Sequence, residues 1–357
     1  MSQNKVPTVA LPIVQAFCAA ALFGASAPLA KALLGSIEPI PLAALLYLGS
    51  GLGTLFLRSL RRKPEAGTEP EARLQRQDLP WLLGTIITGG IAAPIVLMFS
   101  LRASPAAAAS LLLNFEGVAT TLIAVLVFRE AAGWHIWGAI IVVTLGSIVL
   151  SFNPAEAWNI APGALGIIAA CTLWGVDNNL TRAISAKDPL VIVSIKGVGA
   201  GVFSLALSVA LGQPLPRLLP IIGALLLGMV CYGLSIWLFI LALRSMGAAR
   251  TSALFGTAPF IGAALALILF RGSLSWQFLA ALPLMAIGAW MLLGETHGHR
   301  HAHAAAAHEH RHRHDDLHHS HPEGSLDPGA SNSHRHEHPA IVHSHPHLPD
   351  IHHRHNH

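Results

Sequence analysis

The sequence predicts an all-α integral membrane protein: ten transmembrane helices in two inverted five-helix repeats, followed by a disordered His-rich tail. Three observations predict this fold class: the composition, ten long apolar runs, and an internal repeat. Hydrophobic residues make up 53% of the 357 residues and charged residues only 11%, against about 25% charged residues in a typical soluble domain. The composition therefore excludes a soluble enzyme and a nucleic-acid-binding domain.

Ten apolar runs are long enough to cross a bilayer. A helix rises 1.5 Å per residue, so about 20 apolar residues span the roughly 30 Å of hydrocarbon. None of the runs shows the two-residue alternation of a barrel strand, so we predict helices. The runs lie at 11–34, 39–57, 80–101, 104–128, 134–152, 161–184, 189–211, 217–241, 248–270 and 275–293.

The first five runs and the last five share residues at a fixed spacing. The segment Leu22–Lys31 matches Leu173–Arg182 at a shift of 151 residues, and later segments, such as those beginning at Leu101 and Leu243, match at a shift of 142. Because the repeated unit has five spans, its two copies face opposite ways in the membrane, as in many secondary transporters. We expect three regions: a first repeat over 11–152, a second repeat over 161–293, and a tail over 294–357.

The loops between the runs differ in positive charge. With the N-terminus inside the cell, the cytoplasmic segments carry twelve Lys and Arg residues and the opposite segments carry four. Cytoplasmic loops of membrane proteins are enriched in these residues. We therefore expect a multi-pass protein of the plasma membrane (the bacterial inner membrane) with both termini in the cytoplasm.

Three ionisable residues lie well inside the predicted spans: Glu116, Asp177 and Lys196. A charge near the bilayer centre costs about 2.5–3.5 kcal/mol on insertion scales, so such a residue normally faces protein or a water-filled cavity. Their matched positions in the other repeat are uncharged: Ala258, Ser26 and Leu46. The other repeat builds the same element without the charge, so the fold does not require it.

Each of these residues has two interpretations. Glu116 either carries a proton or a cation, as a buried carboxylate can, or only holds helices together by hydrogen bonds. Asp177 and Lys196 form either a structural ion pair or a cytoplasmic gate. Alternatively, Asp177, Asn178 and Asn179 present oxygen atoms to a substrate.

Aromatic residues of the spans are a further candidate feature. Trp174 and Phe23 occupy matched positions and either wall the substrate cavity or pack between helices.

The segment from His297 to His357 contains 21 of the 22 histidines. Alternating imidazole and carboxylate groups suit Ni²⁺, Zn²⁺, Co²⁺ or Cu²⁺. Because the spacing is irregular, it predicts many exchangeable sites rather than one structural site, or else a polar tail without a ligand. The first candidate ligands are His297, His299, His301, His303, His308, His310, His312 and His314.

The ten spans, their duplication, and the pair Trp174-Gly175 followed by Arg182 resemble the EamA group of drug/metabolite transporters, as do the Ala/Ser-rich fourth and ninth spans. The resemblance covers about 11–293. There are two departures: Phe23 stands where the family often has Trp, and Gly117 stands where it often has Pro. The resemblance implies export or exchange of small metabolites, amino acids, sugars or drugs, and some relatives are tied to nickel and cobalt resistance.

These observations predict a secondary transporter (permease) that exports a small solute, with a divalent transition metal slightly favoured because of the tail. The alternatives are an exporter of an organic metabolite or drug with a metal-buffering tail, and a metal-responsive membrane sensor. No phosphate loop or catalytic triad is present in the sequence, so we predict neither an enzyme nor a required cofactor. The lipid bilayer and the solute are the expected partners, and a homodimer is left open.

Overall fold

The computed structural model describes residues 10–60, 74–128, 133–152, 161–184, 187–246, 251, 254–271 and 274–293, and four short segments of the tail. The described residues before the tail form helices joined by short turns. The helical elements are α1 (Ala10–Leu33), α2 (Pro39–Leu60), a 3-10 turn (Arg76–Asp78), α3 (Leu79–Thr85), π1 (Ile86–Ala92), α4 (Ala93–Ala103), α5 (Ala106–Leu112), α6 (Phe115–Leu126), α7 (Trp134–Ser151), α8 (Pro162–Ala183), α9 (Pro189–Ala210), α10 (Leu218–Leu227), π2 (Gly228–Leu234), α11 (Ser235–Met246), α12 (Ala258–Phe270) and α13 (Trp276–Leu293).

Seven helical segments of the described chain are long and apolar enough to cross a membrane. They coincide with the predicted spans 1 to 5, 7 and 8, which confirms the all-helical membrane architecture. The predicted spans 6, 9 and 10 coincide with α8, α12 and α13. Of these, α8 carries the polar run Asp177-Asn178-Asn179, and the apolar stretches of α12 and α13 are shorter. Their crossing of the membrane stays a prediction.

The third and eighth spans each change from α-helix to π-helix near their middle. The two π segments, π1 and π2, are both seven residues long, and π2 begins 142 residues after π1. This is the shift at which the sequence repeats in this region. Single π turns inside α-helices occur frequently at functional sites. The irregularity is therefore duplicated along with the sequence.

The fourth span is broken between α5 and α6. The Asn114 side chain donates to the Leu111 carbonyl oxygen over 2.9 Å, just before α6 begins. The Thr257 hydroxyl donates to the Leu254 carbonyl oxygen over 2.6 Å just before α12, which is the corresponding place in the second half. Both spans are thus interrupted at the same level, although Gly117 in the first half replaces a proline.

Helices α2 and α9 hold the two halves together. They occupy matched positions and form the most extensive helix contact of the described chain. A Cβ atom on Gly51 would lie 2.6 Å from the Val198 amide nitrogen, and one on Gly201 would lie 2.5 Å from the Leu48 Cγ. Small residues of this kind allow close backbone approach between helices in a membrane.

Lys31 is the basic residue that follows the glycine of the repeated motif, and its contacts explain why a basic residue is present there. Its ammonium group donates to the carbonyl oxygens of Leu101 over 2.5 Å and Ser104 over 2.7 Å, at the C-terminal end of α4. The last carbonyls of a helix lack partners within the helix and carry partial negative charge. The lysine therefore caps the third span.

Four strands are described in the tail. β1 (His297–His303) pairs antiparallel with β4 (Ile341–His347), and β2 (Ala306–Arg313) pairs with β3 (Ser331–His338). Two-stranded ribbons are marginally stable in water. The disorder expected for the tail stays a prediction.

Candidate functional site

Glu116 lies in the first turn of α6, directly after the break in the fourth span. Its Oε1 accepts a hydrogen bond of 2.9 Å from the Asn178 side-chain amide of α8, which also approaches the Thr120 hydroxyl at 3.1 Å. The N-terminus of a helix carries partial positive charge and stabilises an anion there. The break therefore gives the intramembrane carboxylate both a favourable dipole and a polar partner.

Asp177 and Lys196 form an ion pair between α8 and α9. The Asp177 side chain is buried, and its Oδ1 also accepts a hydrogen bond of 3.3 Å from the Thr181 hydroxyl. The structure therefore brings together the two charges that the sequence placed at a similar depth. Each charge compensates the burial cost of the other.

Gly89 of π1 lies against this pair. A Cβ atom at this position would lie only 2.0 Å from Oδ2 of Asp177. The Gly89 carbonyl oxygen accepts two hydrogen bonds, from the Tyr47 hydroxyl over 2.5 Å and from the Trp174 indole nitrogen over 3.1 Å. The π segment is thus attached to α2 and α8 at the level of the ion pair.

Asn179 does not face the site. It is buried, and its amide nitrogen donates to the Thr120 carbonyl oxygen over 3.0 Å and the Gly175 carbonyl oxygen over 2.8 Å. This geometry indicates that Asn179 braces α8 against α6. Asn178 is exposed and reaches Glu116, so the two neighbouring amides differ in role.

Five aromatic side chains form a continuous group, here called the aromatic wall: Phe23, Tyr47, Tyr232, Phe239 and Phe255. Ring centroids lie 5.2 Å apart for Phe23 and Phe255, 6.0 Å for Phe23 and Tyr232, and 6.2 Å for Tyr47 and Tyr232. Each of the five side chains is only half-buried. Phe23 therefore belongs to a wall, whereas its matched residue Trp174 binds the π1 backbone.

Sequence reasoning missed Tyr47 and Gly89. Tyr47 is one of only two tyrosines in the chain, and a hydroxyl within an apolar span needs a partner in the membrane. The rarity of tyrosine could therefore have marked Tyr47 as a candidate site residue. Pro94 has no backbone N–H and so leaves a carbonyl near Gly89 without a helical partner, which the sequence could have indicated. The π form of the interruption was not predictable.

The polar centre combines Glu116, Asn178, Asp177, Lys196 and Tyr47. Tyr47 also belongs to the aromatic wall: its hydroxyl binds the Gly89 carbonyl beside Asp177, and its ring centroid lies 6.2 Å from that of Tyr232. The cluster therefore meets the aromatic wall at Tyr47.

Two stretches of the chain match the model of the EamA-like transporter family, residues 10–152 and 161–294. The chain belongs to the EamA-like transporter family. This match confirms the resemblance stated from the sequence. It also identifies the chain as a membrane transporter, a class distinct from enzymes.

Two known proteins are similar to this chain. The chain is 30% identical over 267 residues to an uncharacterized transporter of Methanothermobacter thermautotrophicus strain Delta H, covering 70% of this chain and 76% of the relative. A solved crystal structure is similar over 78% of this chain and 95% of its own, with a TM-score of 0.55 and 20% identity. This structural similarity supports the fold.

The metal ligands expected in the tail stay a prediction. Of these, His314 lies outside the described residues, and for the other seven only the backbone is described, in β1 and β2. In the part of the chain whose side chains are described, no three His, Cys, Asp or Glu residues are grouped as a metal site.

Proposed function

We propose that this protein is a secondary transporter that exports a small solute from the cytoplasm by alternating access between two inverted halves. The proposed membrane is the plasma membrane, with both termini in the cytoplasm, in keeping with the excess of Lys and Arg in those loops. The halves are related by the sequence repeat and by the matched segments π1 and π2.

The observation that carries the proposal is the polar cluster at the interrupted helices. Glu116 lies at the start of a half-helix, and the Asp177–Lys196 pair touches a π segment. Transporters of this architecture bind substrate and coupling ions near the bilayer centre, at discontinuous helices. We propose that Glu116 is the titrating group, which exchanges a proton or cation for the solute.

An organic solute fits this centre better than a metal ion. Lys196 forms an ion pair with Asp177, so Asp177 is already neutralised. A single carboxylate, Glu116, is a poor site for a desolvated divalent cation, which favours several anionic or imidazole ligands. Hydroxyl, amide and aromatic groups are typical of sites for organic ligands.

Export of Ni²⁺, Co²⁺ or Zn²⁺ is the second candidate function. The specific observation in its favour is the cluster of 21 histidines after residue 296. In this version the tail collects the metal on the cytoplasmic side, from which export begins. Membership of a transporter family favours both versions over a sensor that moves no solute.

Transport into proteoliposomes tests the proposal. Purified protein is reconstituted with a proton gradient, and uptake of a panel of organic solutes and divalent metals is measured. We expect gradient-driven uptake of an organic solute, and we expect Glu116→Gln to abolish it while leaving the protein folded. The matched control is Glu38→Gln, which removes a carboxylate from an exposed ion pair of little energetic weight. Gradient-driven uptake by Glu116→Gln at the wild-type rate contradicts the role of Glu116.

A further inference from the structure

The polar centre and the aromatic wall adjoin at Tyr47, and most of their residues come from different helices. The charges come from α6, α8 and α9, whereas four of the five wall residues come from α1, π2, α11 and the segment before α12. Tyr47 of α2 joins the two sides, because its hydroxyl binds the Gly89 carbonyl and its ring contacts Tyr232.

The repeat shows that the fold does not require three rings of the wall. Three wall residues have matched positions with no aromatic ring: Gly90 for Tyr232, Leu97 for Phe239 and Leu113 for Phe255. The first half therefore builds the same elements without these rings. Both halves contribute to the wall, which reaches the charged residues through Tyr47. Rings that the fold does not require, next to intramembrane charges, indicate a role in binding.

The electrostatics of the centre select the charge of the ligand. Lys196 neutralises Asp177, and Glu116 is in none of the ion pairs of the described residues. The centre therefore keeps one negative charge when Glu116 is ionised. An anionic solute would be repelled, and a neutral sugar would leave the carboxylate without a counter-ion.

We propose that the site selects small organic cations with a flat apolar body. The ammonium group lies toward Glu116 and the body lies on the aromatic wall. Aromatic rings in contact stabilise one another in offset-stacked or edge-to-face arrangements, beyond the effect of burial alone. This substrate class rests on the proposed function, because it assigns the solute to the same site.

A matched series of ligands tests the proposed substrate class on the full-length protein. The probes are 2-phenylethylammonium, 2-phenylethanol, 3-phenylpropanoate and ethylammonium, with binding measured by calorimetry in lipid nanodiscs at neutral pH. We expect 2-phenylethylammonium to bind at least about tenfold more tightly than each of the others, because it alone has both the charge and the ring. Equal affinity for 2-phenylethanol or 3-phenylpropanoate overturns the proposal.

Two variants test which residues recognise 2-phenylethylammonium. We expect Glu116→Gln to weaken 2-phenylethylammonium binding at least about tenfold and to leave 2-phenylethanol unchanged. Phe23→Leu should weaken it by about 2- to 12-fold, the range that a contact between two aromatic rings spans, without changing ethylammonium binding. Phe203→Leu is the matched control, because Phe203 lies on α9, is 54% exposed and is outside the wall. If Phe203→Leu has the same effect as Phe23→Leu, the wall is not the binding surface.

The proteoliposome assay separates this proposal from the proposed function. If the protein transports a neutral or anionic solute but does not bind 2-phenylethylammonium, the substrate class is wrong and the transport function stands. If no solute is transported, the proposed function itself fails. The ligand series on the wild-type protein decides the class even where a variant does not fold.

Discussion

The Lys196 ammonium group donates to the Asp177 carboxylate between α8 and α9, and the backbone of Gly89 lies against the same carboxylate. One ion pair thus joins two helices of the second half to the π segment of the first half. A movement of either half relative to the other must act on this contact.

The first prediction concerns this ion pair. Removing one partner of a buried pair leaves a charge without compensation, at a cost of about 3–5 kcal/mol. We therefore expect Asp177→Asn and Lys196→Met each to lower the free energy of unfolding more than the double variant does. Chemical denaturation in detergent micelles measures the three changes. Additive effects would show that the two residues are not energetically coupled.

Gly89 is the subject of the second prediction. An added Cβ would lie 2.0 Å from the Asp177 carboxylate, so we expect Gly89→Ala to displace Asp177 and to reduce transport at least about tenfold. The matched control is Gly199→Ala on α9, whose Cβ would contact only the Ile86 Cδ1 at 3.6 Å. We expect that variant to transport at the wild-type rate. Equal losses in the two variants would contradict a specific role for Gly89.

The ion pair could be predicted from the sequence, whereas the π segment could not. Asp177 and Lys196 could be paired because each lies about seven residues from the same end of adjacent spans, so that helix geometry fixes their depth. A π turn depends on the packing around it, and the residues of Ile86–Ala92 carry no pattern that distinguishes it from an α-helix. The contact with Gly89 was therefore not predictable.

The repeated glycines also show which features the sequence predicts and which it does not. Four of them, Gly49, Gly51, Gly199 and Gly201, recur at matched positions and indicate close helix contact. Three of the four meet neighbouring atoms closer than 3.0 Å when a Cβ is added, whereas Gly199 meets only ordinary van der Waals contact. A repeat in sequence predicts a repeated helix but not an equal environment, because the residues that face the two copies differ.

The third prediction concerns the Gly89 carbonyl oxygen. It accepts hydrogen bonds from Tyr47 and Trp174, and a single hydrogen bond contributes about 0.5–1.5 kcal/mol, whereas an unpaired buried acceptor costs about 1–3 kcal/mol. We therefore expect Tyr47→Phe or Trp174→Phe alone to have a small effect on stability, and the double variant to lose more than the sum. Thermal unfolding of the three variants measures this coupling.

A control and a contrary outcome complete this test. Trp137→Phe serves as the control, because Trp137 is exposed on α7. If the double variant loses only the sum of the single losses, the two donors do not share the carbonyl in the folded protein.

The last prediction concerns the tail after Thr296. Because the family match ends at residue 294, we expect a chain truncated after Thr296 to fold and to transport an organic solute at the wild-type rate. The isolated segment 297–357 should bind several Ni²⁺ or Zn²⁺ ions with low selectivity, because affinity follows ligand type where geometry is not enforced. Calorimetric titration of the segment and proteoliposome uptake by the truncated chain measure the two effects.

Metal binding by the tail should depend on pH in a definite direction. An imidazole must be neutral to bind a metal, and the pKa of an unperturbed histidine is about 6.5. Metal binding should therefore be strong above that pH and fall as the pH drops through it. If the tail supplies metal for export, cells with the truncated protein should lose tolerance to one metal and keep tolerance to organic compounds. Unchanged metal tolerance would separate the tail from transport and favour the organic solute, because the polar centre proposed to bind it lies wholly before residue 294.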